Sequence, residues 1–171
     1  MTVVDNNILS ALAKIERLAL LPSIFEAVGT PVAVIDELHR AEVAGYEFVE
    51  RINARKSYND GWLEIISPTD AELRLAEDIR DHALSTTDAR CIAVASERDR
   101  PLLTDDGHVA TIGQQRGVAV WDLVLLLKTA IRAEHIESAN ELSRVMEDLR
   151  YTDGYRFTSE DEETLFESFN G

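Results

Sequence analysis

Basic side chains and sulfur are both scarce in this 171-residue chain. Lysine occurs only at positions 14, 56 and 128, and Cys91 is the single cysteine. One cysteine excludes an internal disulfide and a thiolate metal centre. Its neighbours Ala89, Ile92, Ala93 and Val94 mark it as a small buried hydrophobe. No stretch approaches the ~18 continuous apolar residues of a membrane span. The N-terminus lacks a basic flank and a long apolar run, so the chain reads as a soluble cytoplasmic protein. There is no Gly-x-Gly-x-x-Gly, no glycine-rich phosphate loop and no His-Glu-x-x-His. No serine or cysteine stands in a nucleophile elbow. The histidines, at 39, 82, 108 and 135, lack ligand spacing and read as surface or helix-face residues.

Acid is what the chain has in excess. Asp and Glu number 32 against 17 Lys and Arg, a net charge of −15. The composition is not that of a disordered chain, because hydrophobic residues reach 45% and recur periodically. The acidic excess is spread along the whole chain rather than blocked in one segment. That distribution favours a solvated surface adapted to high intracellular salt over a dedicated site for basic partners. At 1 M salt, self-repulsion is screened within a Debye length of ~3 Å.

The hydrophobic pattern alternates short runs with helical stretches. Val3-Val4 reads as a strand, followed by a helix with Ile8, Leu9, Leu12 and Ile15 on one face. Leu18 to Val28 reads as a second helix, stopped by Gly29. Pro31 to Ile35 reads as a buried strand, followed by one helix from Asp36 to about Arg55. Asn59-Asp60-Gly61 is a turn, and Trp62 to Ile66 an edge strand. A helix runs from Pro68-Thr69 to His82, and a mostly apolar one, capped by Thr86-Thr87-Asp88, to about Glu97. Leu102-Leu103 and Gly117 to Trp121 are further strands. Asp122 and Ser138 open helices reaching Ala133 and Arg150. This alternation predicts an α/β fold with a mostly parallel sheet. Residues 1–150 form the expected domain, and 151–171 an acidic helical extension whose Leu165, Phe166 and Phe169 pack on the domain or on a second copy.

Four acids fall where an apolar run meets a helix. Asp5 ends Val3-Val4, Glu37 follows Val32 to Ile35, Asp88 opens an apolar helix, and Asp106 follows Pro101 to Thr104. Each has a purely structural reading, as a helix cap, a turn residue or a first-turn acid. Their joint placement is harder to dismiss, because ligands of open α/β sheets collect at the strands' carboxyl ends. Carboxylates gathered there repel one another unless a cation, commonly a hard divalent metal, sits among them. Other acidic sites fail on residues. A phosphatase-type aspartyl nucleophile needs a second acid where Asn7 stands. A receiver-type site needs paired acids after the first strand, where Asn6 follows Asp5, and a lysine after Leu103 or Val120 that is absent.

These residues together resemble the PIN-domain nucleases, including VapC-type toxins and archaeal relatives with a C-terminal helical extension. The matching stretches are Val3-Val4-Asp5-Asn6-Asn7-Ile8-Leu9, Val34-Ile35-Asp36-Glu37-Leu38, Thr87-Asp88-Ala89-Arg90-Cys91-Ile92-Ala93 and Leu102-Leu103-Thr104-Asp105-Asp106, in family order across residues 3 to 135. The resemblance implies a three-layer α/β/α fold and a catalytic, metal-binding set of Asp5, Glu37, Asp88 and Asp106. Asp105 is the alternative ligand to Asp106; the family's acid usually stands two residues after the Ser/Thr of this strand end, which favours Asp106. Asn7 and Thr104 match polar positions that support the acids. The implied cofactor is Mg²⁺ or Mn²⁺, the substrate RNA, and the partners a second copy and a small antitoxin. Arg40, Arg51, Arg55, Lys56 and Arg90 are the candidate RNA contacts, with Tyr58 and Trp62 nearby as stacking surfaces. The reading is thus a metal-dependent endoribonuclease, with a noncatalytic RNA- or protein-binding relative of the same fold as the alternative and a deoxyribonuclease as a third.

Overall fold

The computed structural model describes residues 1–171. Five strands, β1 (Thr2–Val4), β2 (Val28–Pro31), β3 (Leu63–Ile66), β4 (Leu102–Leu103) and β5 (Val120–Trp121), form one sheet in the order β3-β2-β1-β4-β5. Every neighbouring pair is parallel, with Val3 opposite both Gly29 and Leu102 and Leu103 opposite Trp121. Helices cover both faces, as a parallel sheet requires to bury its apolar strands. They are α1 (Asn6–Lys14), α2 (Leu20–Ile24), α3 (Val32–Val43), α4 (Phe48–Asn53), α5 (Asp70–Ile79), α6 (Thr86–Glu97), α7 (Gly107–Gln115), α8 (Leu123–Arg132), α9 (Ala139–Asp148) and α10 (Ser159–Glu167). The fold is the expected three-layer α/β/α, and its sheet is parallel throughout. No helix is long and apolar enough to cross a membrane.

The strand order places a switch point. From β1 the chain builds outward through β2 to β3, then returns to β1's other side for β4 and β5. A crevice opens at the carboxyl ends where the winding direction reverses, here between β1 and β4. Asp5 follows the first of these strands, and Thr104-Asp105-Asp106 the second.

The stretch between Leu18 and Arg55 departs from its sequence reading. Helix α2 ends at Ile24, and the buried strand is Val28–Pro31, so Val32 to Ile35 is the first turn of α3 rather than a strand. A short apolar run has no periodicity to separate buried strand from buried helix. Gly29 is not a stop but a packing requirement: a Cβ there would lie 2.8 Å from Ile66 Cδ1 and Met1 Sδ. The single helix expected from Asp36 to Arg55 is broken by Gly45, which adopts φ +98°. The Tyr46 amide donates to Ala41 O and the Gly45 amide to Glu42 O, a Schellman closure that ends α3. A second helix, α4, then packs against α1 and α3, burying Val49 and Ile52.

The segment after Arg150 packs onto the same core. A wide π-type turn, Leu149–Asp153, leads through Gly154 in the left-handed region to α10. Leu165 is fully buried in the core cluster, Arg150 pairs with Glu162, and Lys14 of α1 pairs with Asp153 at 2.7 Å.

Candidate active site

Asp5 occupies the switch point. It is the N-cap of α1, and its Oδ1 accepts the Ile8 amide at 2.9 Å. At 2% exposure it is the most buried of the candidate acids, and it has no cationic partner. Burial pushes its carboxyl up to about 7; the Thr104 hydroxyl and the Ile8 amide oppose this, and the charges of Asp105 and Asp88 add to it. The capping reading of Asp5 is therefore correct and incomplete. A cap needs one oxygen facing one amide, whereas this one is sunk between two strands among other acids.

Asp88 stands in the first turn of α6, where the positive end of the helix favours an anion. The N-cap is Ser85, whose hydroxyl accepts the Asp88 amide at 3.0 Å and donates to Asp88 Oδ2 at 2.7 Å. Partial burial raises the Asp88 carboxyl; the Ser85 hydroxyl opposes this, and the Asp106 and Glu37 charges reinforce it. Cys91, one turn along α6, is fully buried. Its thiol is pushed well above its ordinary range by burial and by Asp5, Asp88 and Glu37 together. It stays a neutral thiol on the floor beneath three of the acids.

Glu37 reaches the cluster from the second turn of α3, a turn further from its strand than the sequence reading placed it. Two donors fix it: Asn6 Nδ2 to Oε2 at 2.9 Å and Thr87 Oγ1 to Oε1 at 2.6 Å. Asn6 also accepts from Ser10 Oγ at 2.8 Å. Helices α1, α3 and α6 are thus tied together through a single carboxylate. Asn6 and Thr87 were not singled out for this role. Asn7, the residue that was, is exposed on α1.

The paired acids after β4 divide their work. Asp106 caps α7, its Oδ1 accepting His108 N at 2.8 Å and Val109 N at 3.1 Å. Asp105 turns toward β5 and the C-terminal segment, its Oδ1 accepting Leu123 N at 3.0 Å and the Tyr155 hydroxyl at 3.3 Å. Burial raises the Asp105 carboxyl to about 6, the Leu123 amide opposing and Asp122 adding. Buried Thr104 joins the two sides. Its hydroxyl accepts the Asp106 amide at 3.2 Å and supports Asp5. At the rim, His108 Nε2 meets Asp81 Oδ2 at 2.9 Å, clasping the loop before α6 to the start of α7.

The proposed RNA contacts are dispersed. Arg40 and Arg55 face solvent, and Arg90 is half-buried on α6. Arg51 donates to the Ala13 and Lys14 carbonyls at the end of α1, at 2.8 and 3.3 Å. Lys56 is only 7% exposed and lies 5.6 Å from the Tyr58 ring centroid. Both are engaged in holding α4 and the following turn. Trp62 packs against the core, and Tyr58 stays exposed.

The donor set of Asp5, Glu37, Asp88 and the Asp105-Asp106 pair is all hard carboxylate oxygen, the chemistry preferred by Mg²⁺ and Mn²⁺. No three of these groups already surround one point at ligand distance.

An all-parallel α/β sheet with acids after the two strands at its switch point is an open α/β fold of the kind that binds ligands there. The family model DUF3368, described as a PIN domain, matches residues 1–168, and the chain belongs to the PIN-domain family. The match continues through the C-terminal segment as far as Ser168. No curated protein matches the sequence.

Proposed function

We propose that this chain is a metal-dependent endoribonuclease that hydrolyses RNA phosphodiesters, with Asp5, Glu37, Asp88 and Asp106 as its catalytic, metal-holding acids. The observation carrying the reading is Asp5, a buried carboxylate without a cation, in electrostatic reach of Asp88 and Asp105. Such burial disfavours the negative form, so the carboxyl keeps a proton up to about pH 7 unless a cation takes the proton's place. A bound Mg²⁺ or Mn²⁺ would supply that charge, acidify a water for attack and offset charge on the phosphoryl oxygens. In this reading Asp5 and Asp88 would hold the ion directly, and Glu37, fixed by Asn6 and Thr87, would hold it through a water or take that water's proton. Asp106 keeps one carboxylate oxygen outside its cap bonds. Asp105 likewise has only its Oδ1 engaged, by Leu123 and Tyr155, so the preference for Asp106 rests on the family's spacing, with the acid two residues after the strand-end Ser/Thr.

Arg40, Arg55 and Arg90 remain the cations free to meet phosphates. By family analogy the protein works as a homodimer, and a toxin paired with a small antitoxin is the corresponding biological role. The test is cleavage of single-stranded and structured RNA, with DNA alongside, in Mn²⁺ and about 1 M KCl. Wild type should cut RNA, and Asp5→Asn and Asp88→Asn should each lose at least about 100-fold, as expected for loss of a metal-holding group. Equal activity in wild type and both variants would sink the reading. A noncatalytic binding module would cut nothing and show no Mn²⁺-dependent rise in melting temperature.

A further inference from the structure

Beside the acids lies a groove of about 500 Å³ between α1, α3 and the start of α4. It shares a wall with the candidate site, because Asn6 both lines the groove and holds Glu37. Its size is that of a small-molecule site. Four features of its lining speak to what it would hold. Tyr46 stands at its edge, 59% exposed, on backbone fixed by the Schellman closure of α3. Phe48 lies 6.1 Å from Tyr46 between centroids, and Lys14 Nζ covers its ring at 5.1 Å. Phe48 is therefore engaged, and Tyr46 is the aromatic face left open. Lys14 is itself neutralised by Asp153. Asn6 and Ser10 are spent on each other and on Glu37, whereas the Asn7 amide makes no hydrogen bond within the protein.

We infer that this groove is a nucleobase subsite, in which Tyr46 stacks on one base of the RNA strand and the Asn7 amide reads its edge. A phosphate fits poorly, since the only cation lining the groove is already paired. A neutral heterocycle fits well: its π face matches Tyr46, and its adjacent donor and acceptor match a side-chain amide, which offers one of each. Continuity through Asn6 sets the bound base next to the acids that would act on the strand. The inference rests on the nuclease reading for its biological sense but not for its test.

The test uses free nucleosides without metal or phosphate, so it is blind to whether the acids cut. Adenosine, guanosine, cytidine and uridine are titrated into ¹⁵N-labelled protein, with ribose as the control. The expected result is that at least one nucleoside shifts the Asn7 side-chain amide and the Tyr46 and Gly45 backbone amides, with Kd in the millimolar range. Ribose should shift none of them. Tyr46→Ala should weaken binding about ten-fold, as loss of a base–aromatic stack does, and Tyr46→Phe should retain it. Asn7→Ala should change the order of preference among the four nucleosides. Tyr46 is a surface residue, and unchanged far-UV circular dichroism will show that the variants fold. The proposal is overturned if no nucleoside shifts these signals, if ribose does so equally, or if Tyr46→Ala binds as wild type. The last outcome would also be the one expected if the groove received a protein segment instead. Nucleoside binding without RNA cleavage would retain the subsite and discard the nuclease; cleavage without nucleoside binding would do the reverse.

Discussion

Asp5 connects protonation and stability, and on the proposed reading metal, at one pair of oxygens. In the unfolded chain its carboxyl ionises near 3.8, and in the fold near 7. Between those values the folded state holds a proton that the unfolded state has released, so stability falls as pH rises across this window. The full effect is on the order of 4 kcal/mol for a shift of this size. Asp105, raised to about 6, adds a smaller loss over a narrower range. The metal-free protein should melt at a lower temperature at pH 8 than at pH 5.5. Asp5→Asn should flatten most of that slope and, without metal, exceed wild type in stability at pH 8. Mn²⁺ should stabilise wild type more at pH 8 than at pH 5.5, because it competes with the proton for the same oxygens. Calorimetry at the two pH values decides this; a wild-type melting temperature that rises with pH would contradict it. The clamp on Glu37 gives a second expectation. Thr87→Val removes a 2.6 Å bond to a carboxylate while keeping the shape of the side chain. Mn²⁺ affinity should then drop roughly ten-fold, as happens when partners of a ligand are removed. Isothermal titration reads this directly, and unchanged affinity would dissociate Glu37 from the metal.

Among the elements, legibility followed periodicity and punctuation. Amphipathic α1, capped α5 and α9, and the acid-led α8 were readable because their caps and apolar spacings agree. The four acids stood out in the sequence because they interrupt apolar runs, and their part in catalysis is a proposal. What failed was the stretch Val28 to Val43, where Gly29 looks like a stop and Val32 to Ile35 looks like a strand. Only the close approach of Ile66 and Met1 reveals why glycine is needed there. Gly45 was a legible helix end that went unread, and Ser85-x-x-Asp88 is a cap signature shifted by one residue from the one chosen. The Asn6 and Thr87 bonds to Glu37 span 31 and 50 residues and leave no local trace. The turn at Asn59 to Gly61, in contrast, carries more than a turn signal. A Cβ on Gly61 would lie 2.1 Å from the Arg55 carbonyl oxygen, and the clashing atoms are backbone that cannot swing aside. The Leu63 amide donates to that same carbonyl at 2.7 Å, so relief would break the entry into β3. Gly61→Ala should therefore cost about 3 kcal/mol, the upper range of overpacking. Gly107→Ala, where a Cβ meets nothing, should cost less than about 1 kcal/mol. Urea denaturation compares the two, and equal midpoints would refute the assignment.

For the molecule as a whole, the net charge of −15 sets two problems that share a remedy. The folded state confines repelling charges that the unfolded chain can spread, and the RNA it is proposed to cut is itself a polyanion. At 0.01 M salt the Debye length is ~30 Å, about the width of a small domain, so every acid feels most others. At 1 M it is ~3 Å, and only near neighbours interact, which leaves the apolar core and the packed C-terminal segment to decide stability. The melting temperature should therefore climb with KCl from about 0.01 M to about 1 M and level off as screening is exhausted. Proteins that bind nucleic acid through basic surfaces lose affinity over the same range by counterion release. With Arg51 and Lys56 turned to structural use and the net charge of −15 repelling the polyanion until salt screens it, RNA cleavage in Mn²⁺ should rise or hold with KCl instead of collapsing. A triple variant of exposed α10 acids, Glu160→Gln, Glu163→Gln and Glu167→Gln, separates general screening from specific ion binding. If diffuse repulsion governs stability, the variant should start from a higher melting temperature at low salt and gain less from KCl. If its salt response matches that of wild type, the charge excess acts through specific sites, and the acidic surface needs another physical cause.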